Sequence, residues 1–121
     1  MPARPARPLL RSGFILALVV VFALAMLPLT VPITVVSNQD KIEHCLAFLA
    51  LTLLGLAGWP GRTVQIAGGL VLYGVVIELA QHWLTTHRVG DPVDALANSV
   101  GVALGTGIAL RMARGDRRLA R

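Results

Sequence analysis

Charge is scarce in this chain, and cysteine is scarcer. Only 14% of its 121 residues are charged against 55% hydrophobic, too few charges to cover a soluble globule of this size. The single cysteine, Cys45, excludes an intramolecular disulfide, and its place in an apolar run marks it as a packing residue. No GxSxG elbow, Gly-rich phosphate loop or HExxH pair is present, so local motifs point to no nucleophile, nucleotide site or zinc site. No metal or other cofactor is expected. The net charge of +5 comes from short basic segments that lack the aromatic-studded surface of a nucleic-acid binder, so no nucleic acid is expected as a partner. Repeats and low-complexity segments are also missing, and four membrane-length helices would leave no residues for a separate aqueous domain.

What the chain does have is four long apolar runs and a mean hydropathy of +0.72. They predict an all-α fold: an integral membrane bundle of four transmembrane helices forming a single domain over residues 1–121. The spans are expected at about 12–36, 41–59, 63–84 and 92–110, with basic, mobile tails at 1–11 and 111–121. Pro28 and Pro32 should kink or end the first span. A cleaved signal peptide, with Ala23-Leu24-Ala25 as the small-x-small site, is the rival reading of that span. The apolar run continues well past the site, which favours an uncleaved helix. Ser37-Asn38-Gln39-Asp40 should cap the second span, Asp40 and Glu43 having capping-box spacing. Pro60-Gly61 marks a tight turn, and Asp91-Pro92 is a cap followed by a first-turn proline.

Arginine is distributed unevenly. Arg4, Arg7 and Arg11 precede the first span, Arg62 lies between the second and third, and Arg111, Arg114, Arg117, Arg118 and Arg121 follow the fourth. With both termini cytoplasmic these nine lie inside and only Lys41 and Arg88 outside, the asymmetry of the positive-inside tendency. Trp59 then fits the inner aromatic belt and Trp83 the outer one.

A compact set of polar residues falls at the opposite, outer end: Asp40, Lys41, His44, Glu78, Gln81, His82, Arg88, Asp91, Asp94 and Asn98. Glu78, Gln81 and His82 have spacings that place them on one face with Gly74 and Thr85, and that face should point into the bundle. Asp94, Ala97, Asn98, Gly101 and Gly105 form a second stripe. Gly101 and Gly105 make a GxxxG pair that permits close helix contact, either within one chain or in a homodimer. A carboxylate at membrane depth is costly, so Glu78 is a candidate functional residue with Arg88 or His44 as partner. The alternative is that Glu78 ties helices together through hydrogen bonds. His82 beside Trp83 can be a snorkelling residue, Asp91 a cap, and Tyr73 a packing residue with one interhelical hydrogen bond. Glu78, His82, His44, His87, Asp91 and Asp94 include metal-ligand types, but no recognised metal spacing joins them.

The order Asp40-Lys41-x-x-His44, Glu78-x-x-Gln81, then Arg88, Asp94, Asn98, Gly101 and Gly105 resembles the VanZ-like family of small bacterial membrane proteins. The resemblance runs from about Asp40 to Gly105; His82, His87 and Asp91 are not part of it. It implies a multi-span protein of the bacterial cytoplasmic (inner) membrane, related to a protein that confers low-level resistance to the glycopeptide teicoplanin.

The functional expectation is an outward-facing polar pocket of Asp40, Lys41, His44, Glu78, Gln81, Arg88, Asp94 and Asn98. Its partners would be membrane lipids or lipid-linked wall precursors. Lys41 and Arg88 would contact phosphate or carboxylate, and Gln81 and Asn98 would complete the hydrogen bonds. The alternative is a membrane-embedded hydrolase or transferase using His44, Glu78 and Asp94.

Overall fold

The computed structural model describes residues 7–27, 39–84 and 92–120. They form four α-helices: α1 (Arg7–Met26), α2 (Gln39–Gly58), α3 (Thr63–Leu84) and α4 (Pro92–Leu119). All four are long and apolar enough to cross a membrane. Twenty residues at about 1.5 Å each match the roughly 30 Å hydrocarbon thickness of a bilayer. α3 is rich in valine and glycine, poor helix formers in water. In an apolar medium the helix is nonetheless the only single-segment way to satisfy every backbone donor and acceptor.

The helix ends are set by local chemistry, and both ends of α1 and the end of α4 differ from expectation. α1 stops at Met26, because Leu27 precedes Pro28 and a proline disfavours the helical conformation of the residue before it. It also begins earlier, at Arg7, with Pro8 tolerated in its first turn. α4 does not stop at Leu110 but runs through the basic tail to Leu119. That tail is therefore helical as far as Leu119. Arg, Met, Ala and Leu are strong helix formers, and positive side chains suit a helix C-terminus. α2 runs from Gln39 with Asp40 in its first turn, while Ser37, Asn38 and the side chain of Asp40, expected to cap it, lie outside the described residues. Between α2 and α3, Arg62 donates its N–H to the Trp59 carbonyl at 3.2 Å, and Gly61 has φ of 84°. Proline second and a positive-φ glycine third make this a type II turn.

The helices alternate in direction. One end of the bundle carries the starts of α1 and α3 and the ends of α2 and α4, and with them the described arginines; the other carries Lys41, His44, Glu78, Gln81, His82, Asp94 and Asn98. α2 packs against all three other helices, most extensively against α4, while α1 and α4 do not meet among the described residues. α1 and α4 thus lie on opposite sides, with α2 and α3 touching across the middle.

Close approach of α2 and α4 depends on Gly101 and Gly105. A Cβ on Gly101 would lie 2.2 Å from the Cys45 carbonyl oxygen, and one on Gly105 would lie 2.8 Å from Cβ of Thr52. The GxxxG pair is therefore used within the chain, and a homodimer would need another seam. The core is small: Phe14, Phe48, Leu51, Leu70, Ile77 and Val102 are buried, while large apolar side chains such as Leu16, Val64, Leu72 and Leu104 face outward on every helix. Tyr73 donates its hydroxyl proton to the Leu18 carbonyl, linking α3 to α1. Such interhelical bonds and small-residue contacts are the forces left once lipid replaces water outside. At the basic end Arg11 donates from Nε to the Gly58 carbonyl at 2.8 Å, and its guanidinium lies 5.3 Å from the centre of the Trp59 ring. Phe14 meets the same indole edge-on at 5.5 Å. This satisfies a carbonyl in the last turn of α2 and makes Trp59 a packing platform.

Candidate functional site at the polar end

Three helices each bring one titratable side chain to a common point. His44 stands on α2, Glu78 on α3 and Asp94 on α4, and one ligand-type atom from each lies within 4.8 Å of the other two. The convergence follows from helix registers. Glu78 continues the stripe of α3 that buries Leu70, Gly74 and Ile77. Asp94 tops the stripe of α4 that buries Asn98, Gly101 and Gly105. His44 lies one turn outward of Phe48, which is buried against the same centre. Because the glycines of α4 let α2 approach so closely, His44 and Asp94 end up side by side.

Lys41 adds a cation beside them. Its ammonium donates to Oδ1 of Asp94 at 3.2 Å, with 25% of the lysine and 13% of the aspartate side chain still exposed. A partly solvated pair of this kind contributes at most about 1 kcal/mol, so its main effect is to aim the two groups. Beside it an apolar groove of about 340 Å³ runs between α2 and α4, lined by Ile42, Cys45, Val93, Leu96 and Val100 as well as Lys41.

Gln81 is buried and donates from Nε2 to the Ala25 carbonyl at 3.0 Å, tying α3 to the last turn of α1. Part of its hydrogen-bonding capacity is thereby structural. Asn98 differs. Its side chain is 1% exposed, and among the described residues neither Oδ1 nor Nδ2 has a hydrogen-bond partner. An unsatisfied buried amide costs about 1–3 kcal/mol. Thr52 and Thr106 avoid that cost by donating to their own helices, at the Phe48 and Val102 carbonyls. Asn98 Nδ2 packs on Gly74, 3.2 Å from where a Cβ would sit. It therefore lies one turn inward of Asp94 on α4 and against the residue one turn inward of Glu78 on α3.

His82 does not join the group. It is exposed, because each four-residue step along α3 turns the side chain by about 40°, and after Glu78 the next step leaves the buried face. Trp83 is likewise exposed at this end. Arg88, His87 and Asp91, and the side chain of Asp40, lie outside the described residues. The sequence pattern singled out His44, Glu78 and Asp94 among other polar residues; only their convergence was hidden from it.

No family model matches the chain, and no curated protein or solved structure matches it either.

Proposed function

We propose that the chain is a multi-pass protein of the bacterial cytoplasmic membrane, with both termini in the cytoplasm, that binds an anionic lipid or lipid-linked wall precursor at its polar end. The observation that carries this reading is the Lys41 ammonium, aimed by Asp94 and adjoining the apolar groove between α2 and α4. A cation beside an apolar groove matches the head and tail of an amphiphile. Arg88 would supply a second donor with the forked geometry that suits phosphate. Glu78, His44, Gln81 and Asn98 would order the headgroup, and Asp40 would add a carboxylate near Lys41.

Native mass spectrometry of protein extracted in mild detergent tests this. Wild type should retain an anionic amphiphile that Lys41→Gln and Arg88→Ala both lose. Retention of the same species by both variants, or of none by wild type, overturns the proposal. The VanZ-like resemblance extends the reading to glycopeptide protection, through altered access of teicoplanin to surface targets. Unchanged teicoplanin susceptibility in a sensitive host that carries verified amounts of the protein would remove that extension.

The convergence of His44, Glu78 and Asp94 favours a second reading, a hydrolase or transferase of lipid-linked substrates with His44 or Glu78 as base. It requires turnover by purified protein that Glu78→Gln abolishes while the fold is kept.

A further inference from the structure

We propose that His44, Glu78 and Asp94 bind a divalent transition-metal ion, Zn²⁺ being the best match, with Asn98 supporting the site from one turn below. One imidazole nitrogen and two carboxylate oxygens suit Zn²⁺, which accepts both donor types and takes three protein ligands where its fourth position is left for an exogenous oxygen. The two carboxylates balance the charge of the ion. Zinc bonds of about 2.0–2.2 Å set tetrahedral donors roughly 3.4 Å apart, so donors lying within 4.8 Å of one another reach that geometry by small side-chain rotations. Three ligands from three helices also mean that the backbone framework is fixed by packing before any ion arrives.

Asn98 is the independent observation. A buried amide with unpartnered Oδ1 and Nδ2 is expensive, and this one sits below Asp94 and packs beside the α3 stripe that leads to Glu78. An amide in that position can orient a ligating carboxylate or accept from an ion-bound water, as groups behind metal ligands do. Lys41 competes with the ion for Asp94, but its partly exposed ammonium on a flexible stem can withdraw to water.

The site stands independently of the headgroup proposal, and Lys41 separates the two. Removing its charge should weaken an anionic ligand and strengthen a cation. The test is equilibrium dialysis of tag-free protein, in lipid-free detergent, against Zn²⁺ alone with a competing chelator, followed by metal analysis. Wild type should bind one Zn²⁺ per chain. His44→Gln and Glu78→Gln should each weaken binding about tenfold or more, and Asn98→Ala should weaken it by a smaller factor. Lys41→Gln should bind about threefold more tightly or better. His82→Gln and His87→Gln should bind as wild type does. Size-exclusion profiles establish that each variant is folded; His44 is only partly buried, so His44→Gln remains a fair test if Glu78→Gln is unstable. Absence of stoichiometric binding, unchanged affinity in folded His44→Gln, or loss that follows His82 or His87 overturns the proposal. If Zn²⁺ binds as expected while Lys41→Gln keeps its amphiphile, the metal site stands and the headgroup reading falls.

Discussion

Among the described glycines, Gly101 is where an added methyl meets the closest atom. The added methyl would lie 2.2 Å from the Cys45 carbonyl oxygen, 3.0 Å from its carbonyl carbon and 3.1 Å from the Leu49 nitrogen. A carbon accepts an oxygen neighbour at about 3.3 Å, so α2 and α4 must separate locally by about 1 Å. The atoms in the way are backbone, which no rotamer change can move aside. Overpacking typically costs about 1–3 kcal/mol, and a backbone clash on the most extensive helix pair belongs at or above the top of that range. The same displacement would draw Asp94 away from Lys41, now 3.2 Å apart, and away from His44. Gly107→Ala is the control on the same helix: Gly107 is exposed, nothing lies within 4 Å of its added methyl, and alanine is the better helix former. Equilibrium unfolding in mixed micelles with increasing dodecyl sulfate should show Gly101→Ala destabilised by about 3 kcal/mol or more and Gly107→Ala unchanged or slightly stabilised. Equal stability of the two variants would refute the assigned α2–α4 contact and, with it, the placement of His44 beside Asp94.

Two further outcomes follow from particular contacts. Tyr73→Phe removes the one hydroxyl that links α3 to the Leu18 carbonyl of α1, and the same unfolding assay should show a loss of about 0.6 kcal/mol, with roughly 1.7 as the ceiling for such bonds in a membrane. A loss well above that ceiling would mean that Tyr73 holds more than one bond. For topology, single cysteines in a Cys45→Ser background should divide by end: Trp83→Cys labelled by an impermeant maleimide in intact cells, Arg114→Cys only after permeabilisation. The reverse pattern would invert the proposed orientation and put the polar end in the cytoplasm.

Sequence reasoning succeeded where one helix decides the matter. α3 starts at the expected Thr63, because Pro60-Gly61 enforces a turn just before it. Tyr73 makes the interhelical hydrogen bond expected of it. It was less successful at termini. Leu110 looked like an end because hydropathy falls there, but hydropathy measures the medium a helix sits in and not whether the backbone remains helical. His82 was expected on the inward face with Glu78 and Gln81, and it is exposed; periodicity gives an angular stripe, and only the neighbouring helices determine how wide the buried part of that stripe is.

The division follows from what each kind of information contains. Composition, the lengths of the apolar runs and the largely one-ended arrangement of arginine determined by themselves an all-helical chain of four membrane-length helices with most of its acids near the opposite ends of those runs, because these depend on transfer from water and on helical geometry within a segment. The packing order was decided only in three dimensions: which helix Gly101 and Gly105 would meet, that Gln81 would reach Ala25, that Asn98 would be buried without a partner, and that His44, Glu78 and Asp94 would converge. Side chains 34 and 16 residues apart along the chain are brought within 4.8 Å by contacts between helices, and no spacing within any single helix records those contacts.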